Sequence, residues 1–147
     1  MALFLIFTLY AIIGVLAAVG SISITKRFKP RVEQAAYGVC LVPVAGIYLA
    51  FLAHLGPTAS WRAEFIPVVV FTALGLAGTR FAPLLMLGYL GHGAWDLIHE
   101  TFMLQGSLGR LTPIPVAYGV FCAVFDWVVV GYFWTRRRVW LAARQVG

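Results

Sequence analysis

Four ionisable side chains stand close together in a stretch of this chain that is otherwise apolar. The segment reads GHGAWDLIHE, and the four are His92, Asp96, His99 and Glu100. In an α-helix, at about 100° per residue, the last three project at about 40°, −20° and 80° relative to His92. They therefore share one helix face. The i, i+4, i+7 spacing of His92, Asp96 and His99 presents imidazole and carboxylate groups along one line.

A further carboxylate, Asp126, is expected to meet this face from the next helix. Asp126 and His92 each lie about eleven or twelve residues inside an apolar segment, which places both near the middle of a bilayer. Imidazole and carboxylate ligands suit a divalent transition metal such as zinc or iron. The predicted metal ligands are His92, Asp96, His99 and Asp126, with Glu100 as a further ligand or general base. His54 is expected at the depth of His99 and Glu100.

Two other interpretations of these residues stay open. Intramembrane Asp and His chains also carry protons or ions in pumps and transporters. Alternatively, the side chains hydrogen-bond across helices and only fix their packing. The spacing HxxxDxxH is a weak signal by itself, and the sequence contains no GxSxG, HExxH or glycine-rich phosphate loop.

Composition indicates the environment in which these side chains act. Of 147 residues, 62% are hydrophobic and 11% are charged, with a mean hydropathy of +0.92. Soluble domains average about 45–50% apolar and about 25% charged residues. The chain is therefore expected to be a multi-pass integral membrane protein, with membrane lipids as its surroundings. Nucleic-acid binding is excluded, because a basic face with base-stacking groups is missing.

The apolar segments predict an all-α bundle of about five transmembrane helices in a single domain. The predicted spans are 2–24, 35–55, 62–79, 81–103 and 114–134, followed by a basic tail over 135–147. Pro43 is expected to kink the second span. Glycines along the third and fourth spans predict that these two helices pack closely. Glu33 and Glu64 fall at helix boundaries, where acidic residues are unremarkable.

The basic residues predict the orientation of the bundle. With five spans, nine of the eleven Lys and Arg residues fall at one end, and only Arg62 and Arg110 fall at the other. The positive-inside rule then places the amino terminus outside and the carboxyl terminus in the cytoplasm of an inner-membrane protein. No basic residue precedes Lys26, so the first segment is expected to be a retained helix and no cleaved signal peptide.

Two motifs resemble the shared core of a family of small, uncharacterised bacterial integral membrane proteins. That core is a helix with the pattern HxxWDxxHH, then a Gly- and Pro-rich loop and a helix with the pattern GxxCxxxD. The matching residues are His92, Trp95, Asp96, His99, Gly119, Cys122 and Asp126. Glu100 stands where the family often has a second histidine. The resemblance covers residues 90–133 and implies a shared site of unassigned function.

These observations favour a small integral membrane protein whose intramembrane His/Asp/Glu site binds a metal and acts on a lipid-like or membrane-soluble substrate, and they leave open whether it is an enzyme. A non-enzymatic subunit of a larger membrane complex, or of a homo-oligomer, is the alternative. A small proton-coupled carrier ranks third, because five helices usually must oligomerise to enclose a pathway. Cys40 and Cys122 form no CxxC motif and are interpreted as small packing residues.

Overall fold

The computed structural model describes residues 1–55, 61–106 and 111–145. Within these stretches the chain forms five α-helices and no strand, which confirms the expected all-α class. The helices are α1 (Ala2–Thr25), α2 (Pro30–Leu55), α3 (Trp61–Gly78), α4 (Ala82–Leu104) and α5 (Tyr118–Gln145).

Four of the described helices, α1, α2, α3 and α5, are long and apolar enough to cross a membrane. The helix α4 has sufficient length, with 23 residues, but its ionisable residues lower its hydropathy. Four of the five expected spans are thus confirmed in length and composition. The fifth helix is present at the expected place and carries the polar residues.

The helix α4 lies at the centre of the bundle. It packs against α5 on one side and α3 on the other, while α2 packs mainly on α3 and α1 mainly on α5. This arrangement buries the polar residues of α4 among its neighbours. Pro43 lies inside α2, which continues on both sides of it.

Glycines set the close approaches between these helices. A methyl group built on Gly78 would lie 2.8 Å from Leu85 Cα, so α3 and α4 touch there as expected. Other glycines serve different pairs: a methyl on Gly75 would lie 2.6 Å from the Gly38 carbonyl of α2, and one on Gly93 would lie 3.3 Å from Asp126 Cβ of α5. Small residues permit such contacts where apolar burial cannot drive association.

The basic tail belongs to α5, which continues through it to Gln145. The tail is helical because it binds the start of α2: Arg136 Nη2 donates to Glu33 Oε2 at 2.8 Å, and Trp140 Nε1 donates to the same oxygen at 2.9 Å. Tyr132 donates to Glu33 Oε1. Glu33 is fully buried, although the sequence placed it at a helix boundary where an acidic residue is usually exposed.

Candidate metal centre inside the bundle

Three of the predicted ligands converge between α4 and α5. His92 Nδ1 lies 2.9 Å from Asp126 Oδ2 and 3.1 Å from Asp96 Oδ2. The three side chains offer ligand atoms within 4.8 Å of one another, and each is at most 1% exposed. The i, i+4 spacing along α4 aligns His92 with Asp96, and the close approach at Gly93 brings in Asp126. We call these three residues the triad.

Tyr48 of α2 completes the surroundings of the triad. Its hydroxyl donates to Asp96 Oδ1, and its ring stands edge-on to the His92 ring with 6.3 Å between centroids. Phe71 of α3 covers another side of the His92 ring at 5.3 Å. The triad therefore has walls from α2, α3, α4 and α5, and these walls shield it from solvent.

Two atoms of the triad lack hydrogen-bond partners among the described residues, namely His92 Nε2 and Asp96 Oδ2. His92 Nδ1 carries at most one hydrogen, and that hydrogen points to Asp126. Asp96 Oδ2, although close to the same nitrogen, therefore receives no hydrogen bond from it. Buried polar atoms without partners are costly and uncommon. Their presence at one point marks the triad as a site with unused capacity to bind.

The donor set and spacing of the triad fit a divalent metal ion. Two ligands about 2.1 Å from one ion lie about 3.0 Å apart at right angles and about 3.4 Å apart at a tetrahedral angle. The observed 2.9 and 3.1 Å lie near these ligand–ligand spacings, and a bound ion would replace the hydrogen that Nδ1 now donates to Asp126. Tyr48 holds Asp96 as a supporting residue would. His92 Nε2 departs from the usual pattern, since a metal-bound histidine normally donates its other N–H.

His99 belongs to a second buried group. Its Nε2 lies 2.9 Å from Glu64 Oε1 of α3, and the same oxygen accepts the Thr112 N–H at 2.7 Å. All three residues are fully buried. His99 thus points toward Glu64 of α3. The His99 ring also contacts the Tyr48 ring, with 4.6 Å between centroids, and this contact connects the second group to the triad.

Both ring nitrogens of His99 face oxygen atoms, so its two hydrogen bonds need one proton more than a neutral imidazole carries. His99 Nδ1 lies 3.1 Å from the Trp95 carbonyl, which can only accept, so this nitrogen carries a hydrogen. A neutral ring would then present a bare Nε2 to Glu64 Oε1. One further proton must therefore lie on either His99 or Glu64.

Glu100 holds the start of α5. Its two carboxylate oxygens accept the N–H groups of Ala117, at 2.9 Å, and Gly119, at 3.0 Å. A carboxylate is favourable at a helix amino terminus, where N–H groups lack partners. Ala117 has a φ of 65°, an uncommon conformation for a residue with a side chain, and the bond from its N–H to Glu100 helps to hold it. These bonds give Glu100 a role apart from the triad.

The remaining candidates lie elsewhere. His54 is exposed near the end of α2 and does not join the triad. Cys40 is exposed and Cys122 is buried, and both are free thiols. Arg110 lies outside the described residues.

A cavity of about 360 Å³ adjoins the triad between α2 and α5. Its walls are almost entirely aliphatic and aromatic, and Asp126 is the triad member that reaches it. The lining residues are Pro43, Val44, Ile47, Tyr118, Phe121, Cys122, Phe125 and Asp126. The triad thus borders an apolar space.

Sequence reasoning missed two partners, Tyr48 and Glu64. Tyr48 lies on the buried stripe of α2 with Leu41, Ala45 and Leu52, and a buried tyrosine hydroxyl needs a partner. That stripe was a usable signal. Glu64 had no such signal, because its neighbours Phe65 and Ile66 are exposed and its burial depends on the segment around Thr112.

Comparison with protein families matches residues 9–139 to a family of unknown function, DUF6010. The chain belongs to this family, in agreement with the expected membership of an uncharacterised family. Neither the curated proteins nor the solved structures that were compared include a match.

Proposed function

We propose that this member of the DUF6010 family is a multi-pass membrane enzyme with a divalent metal ion, zinc or iron, held by the triad. The observation that carries the proposal is the convergence of His92, Asp96 and Asp126, each buried. Ionisable side chains in membrane helices are expensive and usually functional. Two carboxylates and one imidazole in one place need a cation or protons to balance their charge.

In this proposal the metal would polarise an oxygen of the substrate or activate a water molecule. His92, Asp96 and Asp126 provide the ligands, and Tyr48 fixes the orientation of Asp96 through its hydrogen bond. The substrate is lipid-like or membrane-soluble, since the space beside Asp126 is apolar. We expect the HxxWDxxH and GxxCxxxD patterns, which contain all three ligands, to recur in other members of this family.

The proposed location is the inner membrane of a bacterium, with the amino terminus outside. Support comes from the basic end of the bundle: Arg31 donates to the Ala143 carbonyl, and Arg144 donates to the Thr79 carbonyl. These contacts join the start of α2, the end of α3 and the end of α5. Nine Lys and Arg residues thus share one end, which the positive-inside rule assigns to the cytoplasm.

Metal analysis of the purified protein tests the proposal. The wild-type protein is expected to contain stoichiometric zinc or iron, and Asp126→Asn and His92→Gln are expected to lose it. The control is His54→Gln, because His54 is exposed and outside the triad. Absence of any stoichiometric metal from the wild-type protein, or equal metal in Asp126→Asn, would refute the assignment.

A second candidate is a non-enzymatic subunit of a homo-oligomer or larger membrane complex. The observation in its favour is α1, which contacts mainly α5 and leaves most of its apolar residues exposed. In that case the protein co-purifies with a stable assembly and tolerates Asp96→Asn. A proton-coupled carrier, the third candidate, requires flux into liposomes that Asp126→Asn abolishes.

A further inference from the structure

The cavity beside the triad has the form of a groove along α5. The residues that α5 contributes, from Tyr118 to Asp126, recur at helical spacing on one face. Eight residues of helix correspond to about 12 Å. On the α2 side, Pro43 and Ile47 are exposed on the outer surface. The groove therefore opens sideways between α2 and α5, toward the region where bilayer chains lie.

Charge restricts what this groove accepts. Asp126 stands at its deep end, and none of the eight residues that line it is basic. In the proposed function the carboxylates of Asp96 and Asp126 balance the charge of a divalent ion in the triad, so an anionic head group would find no net positive charge inside the groove. The volume of about 360 Å³ is in the range of small-molecule sites, about 300–1,000 Å³.

An apolar groove open to hydrocarbon does not stay empty. Its walls lose dispersion contacts wherever no atom lies against them, and a lipid chain supplies those contacts without loss of any polar interaction. The direction of the groove, along the helix, is also the direction of chains in a bilayer. One end of such a chain would lie against Asp126.

We infer that the groove binds the hydrocarbon chain of an uncharged lipid, which reaches the triad laterally from the bilayer. This inference deepens the proposed function, because it names the substrate class and the access route of the same site. The chain can be an acyl or an isoprenoid chain, since both share the required chemistry. The occupant's uncharged polar group, or the part of its chain that reacts, lies next to Asp126.

Photo-labelling in reconstituted membranes tests the inference. The probes are a diazirine-bearing fatty alcohol, a diazirine-bearing isoprenol and the same fatty chain with a sulfonate head. Saturable labelling of the peptide that contains residues 118–126 by one or both alcohols is expected, with weaker labelling by the sulfonate. The stronger of the two alcohols identifies the chain type. Labelling spread evenly over the exposed faces of α1 and α3, or strongest with the sulfonate, would overturn the inference.

A filled groove provides the matched control. Val44→Phe adds a ring inside the groove and is expected to reduce labelling about tenfold or more. Val69→Phe makes the same change at an exposed position of α3 and is expected to leave labelling unchanged. Ile47→Trp, at the half-open mouth, serves as a second blocking variant if Val44→Phe fails to fold. Equal labelling of the blocked and control variants contradicts the inference.

Metal content, measured on the same samples, separates the two proposals. Labelling of the groove in a protein without metal would remove the metal assignment and leave the lipid site standing. Stoichiometric metal without saturable labelling would remove the lipid site and leave the metal assignment standing.

Discussion

Tyr48 is the residue on which the triad depends most directly at the scale of single side chains. It is buried, donates to Asp96 and packs against the His99 ring at a tilted angle. Removal of its hydroxyl leaves a buried carboxylate oxygen without its donor, which costs about 1–3 kcal/mol. Tyr48→Phe is therefore expected to lower the thermal unfolding temperature in detergent. Tyr10→Phe, at an exposed position of α1, is the control; equal unfolding temperatures for the two variants would contradict this role.

Glu64 offers a second prediction at the residue scale. Glu64→Gln keeps an oxygen that can accept the Thr112 N–H, whereas Glu64→Leu leaves both that N–H and His99 Nε2 without a partner. Each unsatisfied buried group costs about 1–3 kcal/mol. We expect Glu64→Leu to be clearly less stable than Glu64→Gln in denaturant unfolding. The control is Arg62→Gln at an exposed position, which should unfold at the same denaturant concentration as the wild type. Similar losses of stability in both Glu64 variants would argue against the hydrogen bonds described.

The meeting of His92, Asp96 and Asp126 was predictable from the sequence. Helical spacing aligns the first two, and equal depth in antiparallel neighbours brings in the third. His99 shares their face by angle but bonds Glu64. Its direction depends on a side chain of α3 and a loop N–H, and neither is encoded in the spacing along α4. Glu100 differs for a similar reason, since the N–H groups that it accepts lie at the start of α5.

At the scale of elements, Gly38 controls the contact between α2 and α3. A methyl group there would lie 2.5 Å from the Gly75 carbonyl oxygen and 2.9 Å from the Thr79 nitrogen, so the helices must move apart. Gly38→Ala is expected to destabilise the protein by about 1–3 kcal/mol, measured by thermal unfolding in detergent.

Gly46 is the matched control for this contact, because it lies in the same helix and has no atom within 4 Å of the methyl position. Gly46→Ala should cause no loss of stability, since alanine favours helix more than glycine does. If both variants unfold at the same temperature, close packing at Gly38 is not what holds α2 on α3.

Element existence was predictable from the sequence, while the ends of α2 and α5 were not. Hydropathy identified every described helix, but the predicted spans ended where charged residues begin. The predicted start of α2 was therefore residue 35 and the predicted end of α5 was residue 134. The observed helices begin at Pro30 and end at Gln145. Each extension is held by the other: Arg31 of α2 donates to the Ala143 carbonyl, and Arg136 of α5 donates to Glu33. Such mutual support is invisible in either segment read separately.

At the scale of the whole molecule, every acidic residue is an interior residue. The chain has five Asp and Glu residues, and Glu33, Glu64, Asp96, Glu100 and Asp126 are each at most 2% exposed. Glu33 pairs with Arg136 from inside the bundle, but no exposed acidic side chain offsets the other basic groups, so the formal charge of +6 understates the positive charge on the surface. A surface of this kind at one end of the bundle suits anionic lipid head groups and determines how the protein is oriented.

Orientation gives the prediction that applies to the whole bundle. Arg138 and Arg62 are both exposed. Arg62 lies at the start of α3 and Arg138 lies in the basic tail of α5, near the opposite end of the bundle. With the basic end in the cytoplasm, a membrane-impermeant maleimide added to intact cells should label Arg62→Cys and leave Arg138→Cys unlabelled until the membrane is opened. The wild-type protein controls for Cys40 and Cys122. Labelling of Arg138→Cys from outside would show that the bundle has the opposite orientation. Labelling of both variants from the same side would show that an even number of membrane crossings separates the two positions.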